Sequence, residues 1–381
     1  MRSLSKVSVQ LTPAQKHLYA TETQVNFRLI AKLVATRSRR ILTAADLVSA
    51  DLQAELAEYS QFVELSYDAM PVETVYQKMD VLSRPNFPLE QSDAVLETKL
   101  LKSLHGRVAN LHAFLAYRPS KKQLVLAISG THNIKQVFQD LRAIRKPYRQ
   151  GKGCAVHTGF WKLYKGIKEA AMESLHDTLQ PLSQDVQEIV ITGHSMGGAV
   201  GSLLALDLLL NQAELLGGRR LKLIFYGAPR VGNAKLAELW SDATQKYRSE
   251  HGEGSLTECL VKGYNDGVPS LPPYKLGYRH VTKSQLYSVG GRLYHIPPSE
   301  CEHGLFDISE DAKAAGTAVL YPRGGHNYYS ERDWERIMRR LAWLVDNMDR
   351  YPDWEKRYYK EVIGPEQAWQ RKIAGSKPKY A

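Results

Sequence analysis

Ile189-Val190-Ile191-Thr192-Gly193-His194-Ser195-Met196-Gly197-Gly198-Ala199 is a short β-branched apolar run that meets Gly-His-Ser-Met-Gly and passes straight into a helix-compatible apolar segment. This is G-x-S-x-G with the strand before it and the helix after it that a nucleophile elbow requires. A serine on so sharp a turn is held in a strained backbone conformation, and small neighbours let the crossing chains approach. The backbone N–H of Met196 then lies at a helix N-terminus, where it can face a developing oxyanion. A Gly-rich βα turn with an incidental serine could give the same five residues. The flanking strand and helix select the nucleophile reading.

Composition sets the outer bounds. A chain of 381 residues accommodates one large α/β domain with additions, or two ordinary domains. Apolar content of 43% against 24% charged residues describes a globular chain, and no run reaches the eighteen or so uncharged apolar residues of a membrane helix. Cys154, Cys259 and Cys301 are too few and scattered for a disulfide framework or a zinc site, which favours a reducing compartment. Net charge is +11, and Arg2, Lys6, Lys16, Arg28, Lys32, Arg37, Arg39 and Arg40 face only Glu22 in the first forty residues. That basic start fits a mitochondrial targeting segment, a surface for anionic lipid, or a solvated extension. No apolar stretch marks a secretory signal, so the expected location is intracellular, cytoplasmic or peripheral to a membrane. No basic motif with interleaved aromatics suggests nucleic acid.

Taken in order, residues 1–42 read as a basic extension, partly disordered, with a helical stretch from Gln24 to Val34. Helices are expected from Thr43, which can cap, and from Ser60 to Met70, stopped by Pro71. Residues 71–108 read as loops with a helix near 90–104. Leu111–Tyr117 and Leu124–Ile128 form a hairpin across Arg118-Pro119-Ser120-Lys121-Lys122. A helix at 159–174, the elbow strand at 186–192, a helix at 196–211 and strands at 221–226 and 256–263 follow. A helix from Ser330 to Met348 precedes a basic tail at 351–381. Strands alternating with helices indicate an α/β sheet, parallel at its centre.

A serine hydroxyl needs a base to take its proton and a third group to orient that base. In α/β-hydrolases the chain order is nucleophile, acid, histidine. Asp266 follows an apolar strand in Lys262-Gly263-Tyr264-Asn265-Asp266-Gly267-Val268-Pro269, although Asp before Gly and Pro is also ordinary turn chemistry. Asp307 and Asp311 sit in an irregular polar segment. Among His280, His295, His303 and His326, only His326 lies in a Gly-rich loop before a long helix, Gly324-Gly325-His326-Asn327-Tyr328-Tyr329. None of these histidines has metal-ligand spacing to a second ligand. Ala127-Ile128-Ser129-Gly130-Thr131-His132-Asn133 is placed to offer the Thr131 N–H as the second oxyanion donor, beside Met196.

Several ordered stretches resemble the class 3 lipase family, the filamentous-fungal type within the α/β-hydrolases. Gly193-His194-Ser195-Met196-Gly197-Gly198-Ala199 resembles its elbow, Ser129-Gly130-Thr131 its oxyanion loop, and His157-Thr158-Gly159-Phe160 its H-x-G-F. Tyr226-Gly227-Ala228-Pro229-Arg230-Val231-Gly232-Asn233 is similar to its G-A-P-R-V-G-N. Asp266-Gly267-Val268-Pro269-Ser270-Leu271-Pro272 fits its D-x-V-P-x-L-P, and His326 to Tyr329 its H-x-x-Y. The resemblance covers roughly residues 45–345. It implies an α/β-hydrolase fold over 43–350, with a mostly parallel sheet, helices on both faces and extra terminal helices. It also implies a triad of Ser195, Asp266 and His326, and no metal or organic cofactor. The chain departs from the pattern at Ser129, where the family has Arg, at Phe138-Gln139-Asp140-Leu141, which lacks the usual Asp-Trp pair, and in a long stretch between Asp266 and His326 that reads as an inserted loop.

Ile134, Val137, Phe138, Leu141 and Ile144 recur at helical spacing after the oxyanion turn, with Lys135, Gln136, Arg142 and Arg145 on other faces. An amphipathic helix there resembles the family's mobile lid, and its cations would attract anionic lipid. An ordinary surface helix packed on the core has the same pattern. The expected function is hydrolysis of acylglycerol-type esters, with a lipid substrate and contact with an anionic membrane or lipid-droplet surface. The alternatives are a catalytically silent lipase-like binding protein, a membrane tether, and a phenolic-ester (feruloyl-type) esterase.

Overall fold

A computed structural model describes residues 11–22, 27–130, 144–313 and 319–367. Its centre is one eight-stranded sheet: β1 (Lys99–His105), β2 (His112–Arg118), β3 (Gln123–Ile128), β4 (Glu188–His194), β5 (Arg220–Tyr226), β6 (Leu256–Gly263), β7 (Gln285–Val289) and β8 (Arg292–Ile296). Spatial order follows chain order. Strands β3 to β7 run parallel, and β1, β2 and β8 antiparallel to their neighbours.

Strands β3 and β4 are buried at every residue, as expected for a parallel sheet covered on both faces. On one side Leu124, Leu126, Ile189, Ile191, Leu221 and Leu223 pack with helices α2 (Thr158–Leu179), α3 (Met196–Asn211) and α4 (Ala234–His251). On the other, Val125, Ala127, Val190 and Ile224 pack with α1 (Ala50–Ser66) and α5 (Trp334–Asn347). The α/β-hydrolase architecture expected from the elbow is present.

The structure corrects several sequence expectations. Residues 50–66 form one helix whose N-cap is Ser49, accepting from the Leu52 N–H at 3.2 Å; Thr43 caps only a 3₁₀ turn, Ala44–Asp46. The helix expected near 90–104 is a short turn, Asp93–Leu96, followed by strand β1. That edge strand has no β-branched residue and a mostly exposed, irregular pattern, so nothing in it announces a strand. The stretch expected as an inserted loop adds β7 and β8 to the sheet, turning at Gly290-Gly291, both with positive φ. It also supplies Leu305–Ile308, which pairs in parallel with Arg37–Leu42 of the N-terminal segment. The charged helix α4 was not anticipated.

Lys262 on β6 is an unusual interior cation. Its ammonium donates to the carbonyls of Cys301 at 2.5 Å and His303 at 3.0 Å. Burial pushes its pKa down to about 7, Glu302 opposing that shift and Arg230 adding to it. Between pH 7 and 10 the unfolded chain therefore holds a proton that the folded chain has released, so stability rises with pH in that window. We expect the unfolding free energy of the wild type, measured by urea titration, to gain about 2 kcal/mol from this group between pH 7 and pH 9. The increment should be missing in Lys262→Met.

Candidate active site

Ser195 stands between the end of β4 and the start of α3 with φ 56° and ψ −124°, a conformation that costs a non-glycine residue about 1–3 kcal/mol. Its surroundings enforce it. A Cβ on Gly197 would lie 2.2 Å from the Ile128 carbonyl oxygen, and one on Gly193 would lie 2.7 Å from the Gly197 carbonyl carbon. The elbow therefore seats against the end of β3 only with both glycines. Met196 is the first residue of α3, and its N–H is among those an α-helix leaves without an internal acceptor.

Asp266 and His326 are brought together. The His326 Nδ1–H donates to Asp266 Oδ2 at 2.8 Å, with both side chains fully buried. With Nδ1 as the donor, Nε2 carries the basic lone pair; it is buried and makes no hydrogen bond. The ring of His194, the residue preceding Ser195, lies 4.1 Å from that of His326, centroid to centroid. Ser195 itself is only 7% exposed, so the site is closed in this conformation. Catalytic hydrogen bonds in such states commonly tighten only with substrate.

The resembling motifs acquire physical reasons. His157 caps α2, its Nδ1 accepting from the N–H groups of Gly159 and Phe160 at 3.2 and 3.3 Å. Arg230, buried, donates to the Ser270 and Pro272 carbonyls at 2.6 and 3.1 Å and pairs with Glu302 at 2.6 Å, pinning the loop that carries Asp266. Gly227 has φ 55°, and a Cβ there would lie 2.7 Å from Asp266 Oδ2. Asp266 Oδ1 accepts from the Val268 N–H at 2.9 Å. Ser129, at the family's Arg position, accepts through Oγ from the His112 N–H at 3.2 Å and so ties β3 to β2. Thr131, Ile134, Val137, Phe138 and Leu141, expected for the oxyanion hole and the lid, lie outside the described residues.

Some residues of the site had no assigned role in the sequence. The Tyr329 hydroxyl donates to Asp266 Oδ2 at 2.5 Å and accepts from the Gly263 N–H at 3.0 Å, which gives the tyrosine of H-x-x-Y its function. The Tyr67 hydroxyl is hydrogen-bonded to His194 Nδ1. Burial first, and His326 second, holds the His194 imidazole well below the usual histidine range, hence neutral.

The N-terminal segment packs over His326 and its loop. Phe27 meets the His326 ring edge-to-face at 5.1 Å. Backbone of the helix Arg28–Val34 passes so close to Gly267 that a Cβ there would lie 2.5 Å from the Ala31 nitrogen. Arg28 donates to the Gly324 carbonyl at 2.9 Å, Gln15 to that of Val319 at 2.7 Å, and the Arg323 N–H to the Tyr19 hydroxyl at 2.9 Å. Residues expected as a loose extension thus strap the histidine loop.

The family model described as Lipase (class 3) matches residues 125–275. The chain is 30% identical over 283 residues to "Secreted mono- and diacylglycerol lipase 1" of Fusarium solani, covering 73% of this chain and 76% of that one. It is 28% identical over 175 residues to "Secreted mono- and diacylglycerol lipase A" of Penicillium cyclopium, 46% of this chain and 51% of the relative. The solved triacylglyceride lipase of Rhizomucor miehei superposes with a TM-score of 0.56 at 21% identity, over 76% of this chain and 98% of that one, and shares the fold. The expected intracellular location, cytoplasmic, membrane-peripheral or mitochondrial, is corrected by these relatives, whose names mark them as secreted and point to an extracellular location. The cysteine argument misled because Cys154, Cys259 and Cys301 are buried free thiols, whose burial raises their pKa values; packing, not compartment, accounts for them.

Proposed function

The chain belongs to the class 3 lipase family and is a carboxylic ester hydrolase, and on that premise we propose that Ser195, His326 and Asp266 form its catalytic triad and that acylglycerols are its substrates. The buried Asp266–His326 pair beside the strained elbow carries this reading. Ser195 Oγ attacks the acyl carbonyl while His326 Nε2 takes its proton, and the same nitrogen returns that proton to the leaving alcohol. Water then enters by the reverse route and frees the acid. Asp266 fixes the imidazole tautomer and stabilises its charged form, and Tyr329 holds the carboxylate. The N–H groups of Met196 and Thr131 stabilise the tetrahedral oxyanion. The catalytic domain in this reading spans residues 43–350, with 1–42 and 351–381 as additions.

The enzyme works at a lipid–water surface. The closed triad favours this, as do the apolar positions Ile134, Val137, Phe138 and Leu141 beside Lys135, Arg142 and Arg145. The basic balance adds attraction for anionic membrane or lipid-droplet surfaces. Hydrolysis of p-nitrophenyl esters from acetate to palmitate tests it. The expected result is activity on long chains that rises once substrate exceeds its solubility limit. Activity confined to short chains, or a preference for feruloyl esters, would sink the acylglycerol assignment.

A further inference from the structure

Away from the triad, Asp68, His105 and His112 converge at the turn end of the β1–β2 hairpin, each offering a ligand atom within 4.8 Å of the others. His105 and His112 face each other across the two strands, rings 4.9 Å apart. Asp68 follows the C-terminus of α1 and adopts φ 55°. Its carboxylate makes no ion pair with Lys or Arg among the described residues; His112 Nε2 lies 3.9 Å from Oδ1.

The protonation of His112 follows from its partners. Nδ1 lies 2.8 Å from the Ser66 carbonyl, which can only accept, so Nδ1 carries the proton. Nε2 then presents a lone pair, accepting a hydrogen bond from the Ser103 hydroxyl at 3.1 Å. A backbone carbonyl fixing the far nitrogen is the arrangement that orients histidine metal ligands. A carboxylate and two imidazoles thus gather ligand atoms around one point, and a divalent cation there would take the Nε2 lone pair that Ser103 now shares.

We propose that Asp68, His105 and His112 bind a divalent transition metal of the zinc class, with water completing the coordination. Two imidazoles and one carboxylate suit zinc, whereas calcium and magnesium take all-oxygen sets. His105 is exposed and Asp68 half-buried, which gives the ion a path in. The bound metal staples the end of α1 to the start of β2, both of which pack against β3, the strand that leads into the Ser129-Gly130 turn. Tyr67, next to Asp68, reaches His194, and the His112 N–H donates to Ser129. The ion therefore acts as a positioning element for the wall of the ester-hydrolysing site and takes no part in bond breaking.

The test uses the full chain, freed of metal with a chelator and titrated with zinc against a fluorescent zinc indicator. Cobalt substitution, followed by visible absorption, reports the ligand geometry. The expected result is one equivalent bound, a rise in Tm on binding, and affinity at least tenfold weaker in His105→Ala and in Asp68→Asn. His105 is exposed, and asparagine tolerates the left-handed backbone at 68, so both variants should fold; circular dichroism checks this. No binding at micromolar zinc overturns the proposal. So does equal affinity in wild type and His105→Ala, because metal held instead by the buried His194–Asp266–His326 cluster would be insensitive to that change.

Discussion

Ser195→Ala is expected to lower kcat for ester hydrolysis by about a million-fold, with KM little changed. The Oγ atom is the only group on this turn that can form the acyl-enzyme, and nothing else at the elbow can replace it. The fold should survive, because Gly193 and Gly197 set the path of the backbone and the side chain makes no capping hydrogen bond. What remains should be the contribution of binding and oxyanion stabilisation, about a thousand-fold over water. Steady-state kinetics on a long-chain ester, with circular dichroism as the fold control, measures both. Loss of less than about a hundred-fold would mean that a different nucleophile operates.

Asp266→Asn should cost about ten-thousand-fold in kcat while leaving the enzyme folded. Asp266 Oδ2 receives two donors, the His326 Nδ1–H and the Tyr329 hydroxyl, and Oδ1 receives the Val268 N–H. An asparagine must place its NH₂ against one of these donor sets. If it faces His326, the imidazole is driven to the tautomer protonated at Nε2 and can no longer accept the serine proton. If it faces Val268, two N–H groups collide. Either arrangement also leaves a buried donor unpaired, at about 1–3 kcal/mol, so a Tm drop of several degrees should accompany the kinetic loss. A variant within tenfold of wild type would remove Asp266 from the triad.

Legibility of the fold in the sequence tracks burial. The strands at 220–226 and 256–263 and the helix at 196–211 stand out because Leu221–Tyr226 is apolar but for Lys222, and Leu203–Leu210 but for Asp207. Strand β1 did not, because an edge strand carrying Lys99, Lys102 and His105 need not alternate cleanly. The proposed triad residues stood out in the sequence because Ser195 and Asp266 follow apolar strands and His326 lies in a Gly-rich loop, beside glycines such as Gly193 and Gly227 whose Cβ atoms would clash. Tyr67 and Phe27 gave no local signal. Their contacts join segments far apart in sequence, to His194 and His326, and exist only once the sheet has assembled. The basic charge of the first forty residues likewise concealed Tyr19, Phe27 and Ala31, the apolar positions that dock.

The most direct test of the Ser195 assignment is mass spectrometry of the full chain after reaction with an alkyl fluorophosphonate in the presence of a lipid–water interface. A single adduct on the peptide containing Ser195, absent from Ser195→Ala and appearing in step with loss of ester hydrolysis, is the predicted result. Full inactivation with the adduct on another residue, or persistent hydrolysis with Ser195 fully modified, would contradict it.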